Sequence, residues 1–185
     1  MVLEFGGGLF GYGNYQNEFL AGEADADLGG QFIKSIQYGS IIIADTDTSN
    51  IDTITIVDPN NSVVIFLGVS GVSGENDDDH YGKVVLTNAA TVTASRIGTT
   101  DGMTVNYVVV EFVAGLVKSL HHGARTTTIT EVDNTKSLCI WRGATSTNTD
   151  TFNGNTSRVT LTNGTTVTAS SPIGEGTVWT VVEFY

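Results

Sequence analysis

The sequence predicts an all-β protein: two tandem small β-sandwich or barrel-like domains from an internal duplication, preceded by an extended N-terminal arm. Three observations predict it. First, Asp58 to Gly68 (DPNNSVVIFLG) and Asp133 to Gly143 (DNTKSLCIWRG) share a frame 75 positions apart, and the same offset holds at Leu86-Thr87-Asn88 and Leu161-Thr162-Asn163. A self-similar period of this size marks repeated structural units. Second, after residue 32, Thr, Val and Ile dominate in short runs punctuated by Gly, Asn, Asp and Ser, whereas helix-period apolar patterns are scarce. Third, the only two prolines, Pro59 and Pro172, fall between predicted strands, where a missing N–H does no harm.

The arm, residues 1–32, lies outside the repeat. It has no base, while Glu4, Glu18, Glu23, Asp25 and Asp27 are acidic and many glycines interleave with Phe5, Phe10, Tyr12, Tyr15 and Phe19. Glycine raises the entropy lost on ordering, so the arm is not expected to fold alone, yet its aromatics would be sticky in water. Docking on a neighbouring protein through Phe5, Phe10, Tyr12, Tyr15 and Phe19 is the expectation; folding back over its own β domains is the alternative.

Repeat domain 1, residues 33–114, starts at Ile33-Lys34-Ser35-Ile36, and repeat domain 2, residues 115–185, at Val117-Lys118-Ser119-Leu120. Within the second, a three-residue loop from Asn163 to Thr165 would pair Leu161 with Val167, Val159 with Ala169, Thr160 with Thr168 and Thr162 with Thr166. That register puts aliphatics on one face and threonines on the other, whereas a two-residue Asn163-Gly164 turn mixes them. The first copy repeats the pattern, with Leu86 facing Val92, Val84 facing Ala94 and Thr87 facing Thr91. The closing strands, Val105 to Phe112 and Thr177 to Phe184, are largely apolar on both alternating faces, as central strands covered on two sides should be.

Composition narrows the function. Among 185 residues, 8 Lys and Arg stand against 20 Asp and Glu, a formal charge of -12. Phosphate neutralisation needs clustered cations, so a nucleic-acid partner is not expected. Cys139 is alone, within the apolar run Leu138 to Trp141; it can form no intrachain disulfide and reads as packing. No apolar run reaches the roughly 20 residues that span a bilayer, and no basic region precedes an apolar core at the N-terminus. A soluble, unprocessed chain without a membrane partner is expected.

Chemistry-bearing motifs are few. The acidic loop Glu75 to His80 offers Asp77, Asp78 and Asp79 as a weak calcium candidate, but it lacks the rhythm and distal Glu of an EF-hand, and the second copy keeps one acid there. A solvated loop is the expectation, and no metal or cofactor is assigned. His121-His122 stands where the first copy has Gln37-Tyr38, so no histidine role is shared. There is no Gly-x-Ser-x-Gly elbow, phosphate loop or dinucleotide fingerprint, and nothing selects a carboxylate pair. Tyr107, Trp141 and Trp179 sit in strand contexts that favour core over sugar stacking. The copies do share one acid, Glu111 and Glu183, and two bases, Lys83 and Arg158 entering the hairpin and Lys34 and Lys118 at the start. Structural ion pairs of Glu111 with Lys83 or Lys118, and of Glu183 with Arg158, are expected to tie strand ends together.

The string carried by Ile33 to Gly39, Val57 to Gly68, Leu86 to Ala94 and Val109 to Phe112, and again by Val117 to Gly123, Val132 to Gly143, Leu161 to Ala169 and Val181 to Phe184, resembles a repeat of small structural proteins of tailed bacteriophages. The resemblance covers both copies but not the arm, and its motifs are scaffold motifs with no catalytic residue to carry over. It implies a non-enzymatic virion structural protein on the phage particle surface. The expected form is a head decoration or cement protein held to coat or tail subunits by its arm, as a homo-oligomer, with a trimer as one option. A tail-tip or fibre protein is the alternative within the virion. From a different class, a carbohydrate-binding adhesin that contacts a host-surface glycan would be marked by exposed Trp141 and Trp179.

Overall fold

The computed structural model describes residues 32–71, 81–146, 157–170 and 176–185. From Phe32 to Tyr185 the chain gathers into one compact unit. Its strands are β1 (Ile33–Ile43), β2 (Ser49–Thr53), β3 (Ser62–Ser70), β4 (Lys83–Asn88), β5 (Thr91–Ser95), β6 (Met103–Phe112), β7 (Val117–Ala124), β8 (Thr127–Thr128), β9 (Ser137–Trp141), β10 (Arg158–Asn163), β11 (Thr166–Ser170) and β12 (Val178–Phe184). They form four three-stranded antiparallel sheets, ordered β1-β6-β3, β2-β5-β4, β7-β12-β9 and β10-β11-β8. The architecture is all-β and sandwich-like; no sheet closes on itself, so the barrel form of the expectation is set aside.

Each half has its own apolar centre. In the first, Ile41, Ile43, Val64, Val105, Tyr107 and Val109 of one sheet meet Val84, Val92 and Ala94 of the other. In the second, Trp179 and Val181 meet Val167 and Val132, with Val159, Leu161 and Cys139 packed against them. β6 and β12 occupy the middle of their sheets, as their two-sided apolar sequence requires. In β12, consecutive residues Trp179, Thr180, Val181 and Val182 are all fully buried, although alternate side chains point to opposite faces. One face of β12 is the core just described. The other lies against the first half, where Phe112 and Phe184 meet edge to face with ring centroids 5.3 Å apart.

Both hairpins adopt the aliphatic pairing, Val84 with Ala94 and Leu86 with Val92, then Val159 with Ala169 and Leu161 with Val167. The turn itself differs from the expectation. Asn88 rather than Thr87 faces Thr91, and Asn163 rather than Thr162 faces Thr166, because the ladder shifts by one residue before each turn. The asparagine explains the shift. Its side-chain carbonyl accepts from Ala90 N–H or Thr165 N–H at 2.9 Å, an Asx turn that closes the loop in two residues. The displaced Thr87 and Thr162 then share a hydrogen bond with Thr93 and Thr168, their hydroxyl oxygens 2.5 Å apart.

Glycines on the flanking strands make room for large rings on the central ones. Gly39 faces Tyr107 and Gly123 faces Trp179, and the space a Cβ would take at either glycine is filled by the opposite ring. The covered ring then finds a polar partner: the Tyr107 hydroxyl donates to Asp52 Oδ2 at 2.6 Å, and Trp179 Nε1 donates to the Arg125 carbonyl at 2.8 Å. Burial, with the Asp52 carboxylate beside it, holds the Tyr107 phenol well above its ordinary range.

Backbone joins the halves at residues 142–144. Val84 N–H donates to the Arg142 carbonyl at 2.9 Å and Ala144 N–H to the Gly82 carbonyl at 3.1 Å, while Arg142 N–H reaches the Val178 carbonyl. Gly143, at φ +97°, sits against the Gly82 carbonyl with no room for a side chain. At the far end of the first half, buried Arg96 gathers the loops around it, donating to the carbonyls of Ala44, Asp45, Asp47 and Asp101.

Candidate functional site

The polar groups that recur in both halves are two buried carboxylates. Glu111 on β6 pairs across the sheet with Ser35 of β1 and Ser62 of β3; Glu183 on β12 pairs with Ser119 of β7 and Ser137 of β9. Serines on either side leave space around the carboxylate. The ladder of β1 skips a residue between Ile33 and Ser35, and that of β7 between Val117 and Ser119, so Lys34 and Lys118 are the extra residues of two β-bulges. A bulge re-aims its side chain. Lys34 Nζ consequently lies 2.8 Å from Glu111 Oε1, and Lys118 Nζ 2.7 Å from Glu183 Oε1.

The remaining donors match in both halves. Ser35 and Ser119 hydroxyls donate to Oε2 of their glutamates at 3.0 Å, and Asp58 N–H and Asp133 N–H donate to Oε1 at 2.9 and 3.0 Å. Asp58 and Asp133 each cap a short 3₁₀ turn, Pro59–Asn61 and Asn134–Lys136, and their own carbonyls accept from Ser62 and Ser137 hydroxyls at 2.7 Å. One glutamate therefore fastens the bulge of the first strand, the central strand and the loop into the third strand. For Glu111, burial pushes the carboxyl up, but the Lys34 ammonium, Asp58 N–H and Ser35 hydroxyl prevail and hold it below its ordinary value. For Glu183, the Lys118 ammonium and then Asp133 N–H have the same effect.

The expected pairs, Glu111 with Lys83 or Lys118 and Glu183 with Arg158, are corrected by this geometry: Lys118 serves Glu183, and Lys83 and Arg158 stand elsewhere. Both belong to the second sheet of their half, where Lys83 bridges to Gly143 and Arg158 Nε donates to Ser170 Oγ at 3.1 Å. The true bases, Lys34 and Lys118, were visible as recurring positions, but the bulges that aim them were not. The arm residues Phe5, Phe10, Tyr12, Tyr15 and Phe19 and the acidic trio Asp77, Asp78 and Asp79 lie outside the described residues, as does Pro172. Among the described residues, no three His, Cys, Asp or Glu side chains come close enough to hold a metal ion. No helix there is long and apolar enough to cross a membrane.

A second polar group belongs to one half only. Arg142 is buried beside Trp179, donating through Nη2 to the Trp179 carbonyl at 3.0 Å, while its Nε makes no hydrogen bond. Burial lowers its pKa to about 10, which leaves it a cation at neutral pH. Nearby, His122 Nδ1 lies 2.9 Å from Thr180 Oγ1, and burial, then the charges of Arg142 and His121, hold its pKa below the ordinary value. No carboxylate faces Arg142 among the described residues. Replacing even a buried ion pair by apolar side chains of similar volume is often neutral or stabilising because the cost of desolvating charge disappears, and a buried cation without a carboxylate bears that cost uncompensated. Arg142→Met is expected to leave stability unchanged or raise it by about 1 kcal/mol in thermal unfolding, and to raise the His122 pKa in an NMR titration.

Tyr107 and Trp179 are core residues, and Trp141 is half-buried with its edge against Phe66, ring centroids 5.2 Å apart. Cys139 is half-buried, and desolvation raises its thiol pKa. Tyr107 and Trp179 offer no exposed stacking surface. No protein-family model, curated protein or solved structure matches this chain.

Proposed function

We propose that the chain is a non-enzymatic structural protein of a tailed-phage particle, a head decoration or cement protein anchored through residues 1–32. The observation that carries this reading is the repeated carboxylate. The two recurring glutamates are turned inward: each is ringed by the chain's own lysine, serine and backbone N–H, joining strands rather than facing a cleft. Such recurrence suits a scaffold whose two halves descend from one duplicated unit, and the matching strand order supports that descent. The residues of the phage-protein resemblance include these same groups, Lys34-Ser35 and Glu111, then Lys118-Ser119 and Glu183. The sugar-binding alternative called for both Trp141 and Trp179 to be exposed; Trp179 is fully buried and Trp141 half-buried, which favours the scaffold reading.

The test compares the full chain with a version lacking residues 1–32 for binding to isolated phage heads and isolated tails. Binding to heads that disappears with the arm is expected. Binding to tails alone would move the protein to a fibre or tail tip. Absence of arm-dependent binding to either would reject the virion reading and make a glycan array the next measurement.

A further inference from the structure

On the side of β12 that lies against the first half, the second half places His122, Thr180 and Arg142 where the first half has Tyr38, Val108 and Leu67. His122 of β7 is opposite Thr180 of β12, and Ile140 of β9 is opposite Thr180 on its other side. Arg142, two residues beyond Ile140, belongs to the same face. Its Nη2 reaches the Trp179 carbonyl, one peptide bond from Thr180. In the first half Tyr38 faces Val108 across β1 and β6, and Leu67 precedes the positive-φ Gly68 as Arg142 precedes Gly143. Tyr38 and Leu67 are 75% and 52% exposed, whereas Arg142 is 5% exposed.

The second-half trio combines one fixed cation with one that pH controls. Arg142 stays protonated near neutral pH, and its Nε–H has no acceptor. The His122 ring is half-buried, with Nδ1 2.9 Å from Thr180 Oγ1. A neutral ring can accept from that hydroxyl, but an imidazolium can only donate, which deprives a fully buried O–H of this acceptor. Protonation also adds a second positive charge to the face that holds Arg142. Burial, then the charges of Arg142 and His121, oppose it.

Among the described residues no carboxylate compensates. Glu183 of β12 lies on the core face, engaged by Lys118 and Ser119 of β7, and His121 is on that side too, its Nε2 3.3 Å from Ser119 Oγ. β9 adds only Cys139, packed toward the core. The turn Pro59–Asn61 packs on β7, but the carboxylate of its capping Asp58 is taken up by Asn60 N–H and Asn61 Nδ2. Lys83, bridged to Gly143, and Arg125, just past β7, are further cations. The first-half sheet brings Val63, Val108 and Phe112, none of them ionisable.

We infer that His122, Thr180 and Arg142 form a proton-operated latch: uptake of a proton at His122 below neutral pH weakens the hold of the edge strand β7 on β12, while the first half does not respond. Histidine is the side chain whose charge ordinarily changes in this range. The folded value lies below the ordinary 6.5, so between the two the open form holds more protons than the closed one. Stability is therefore complete above 6.5 and is lost as pH falls from there toward the folded value. That window lies above the one in which the buried glutamates titrate, below 4.5. The inference does not depend on the virion reading and concerns the isolated protein.

The test is amide hydrogen exchange of the full chain at about pH 7.5 and about pH 5.5, expressed as protection factors so that the intrinsic pH dependence of exchange cancels. Protection in β7 and in the β12 amides is expected to fall on the order of tenfold at the lower pH, between the limits for two like charges in water and near a protein surface. β1 and β6 should hold. His122→Gln keeps a hydrogen-bonding side chain that cannot be charged and should abolish the fall; Arg142→Met should reduce it, and His121→Gln should leave most of it. Equal wild-type protection at both pH values would overturn the inference, as would an equal loss in both halves. So would a fall that persists in both His122→Gln and Arg142→Met, or one that disappears in His121→Gln.

Discussion

Gly123→Ala is expected to destabilise the fold by about 3 kcal/mol, at the upper end of what overpacking a core costs. The sign is informative. An interior strand glycine ordinarily carries an entropic penalty of roughly 0.5–1 kcal/mol relative to alanine, so without the ring the substitution would stabilise. Here the added methyl would fall on the Trp179 six-membered ring, which is fully buried in the core of its half. The ring is also held by its N–H donating to the Arg125 carbonyl, so moving it endangers a part-buried hydrogen bond. Gly39→Ala should behave alike, since its methyl would meet the Tyr107 ring and hydroxyl. Gly68→Ala separates backbone from packing: φ there is +115° with open space around the Cβ, so only the conformational penalty remains, about 1 kcal/mol. Chemical denaturation of the three variants gives the ranking. The pair Gly123→Ala with Trp179→Phe should recover part of the loss, because phenylalanine vacates the atoms the methyl strikes. If Gly123→Ala proves neutral, the ring-over-glycine account of this sheet is wrong.

The same two rings mark where sequence reading succeeds and where it stops. Their strands read as central because Val105 to Phe112 and Thr177 to Phe184 are apolar in both parities, and a strand with two apolar faces has to be covered twice. What covers the second face was not legible: the contact between Phe112 and Phe184 joins residues 72 apart, and neither sequence period nor composition encodes which sheets stack. The hairpins show the limit at smaller scale. Alternation fixed Leu86 opposite Val92, because a one-residue slip would put aliphatics in water. It could not choose between Thr87 and Asn88 as the partner of Thr91, since both are polar, and a single side-chain hydrogen bond at Asn88 decided it. The carboxylates follow that pattern. Glu111 and Glu183 stood out by recurrence. Charge alone, however, does not distinguish Lys34 from Lys83, and only the one-residue bulge brings Lys34 round to the face where Ser35 and Glu111 already lie.

That bulge makes Glu111 the residue whose chemistry can be dissected most sharply. Glu111→Leu should cost about 2 kcal/mol, because it leaves the Ser35 hydroxyl and Asp58 N–H without their acceptor in a part-buried setting. Lys34→Met should cost under about 1 kcal/mol, since the lysine side chain is 60% exposed and water replaces much of what the pair provides. Glu111→Gln separates charge from hydrogen bonding. Its carbonyl can still accept from Asp58 N–H while its amide donates to a Ser35 hydroxyl rotated to accept, so it should fall between the other two. Acid distinguishes these variants further. Glu111 and Glu183 both bind protons less readily in the folded chain than in the unfolded one. Their contribution is complete above the ordinary glutamate value of about 4.5 and drains away as pH falls through the lower folded values. Wild-type melting temperature should therefore drop steeply over that acidic window. Glu111→Gln should flatten part of the slope while starting from a lower plateau at neutral pH, and Lys118→Met should flatten another part by returning the Glu183 pKa toward its ordinary value. An unchanged acid slope in Glu111→Gln would mean that this carboxylate is not among the groups that hold the fold together.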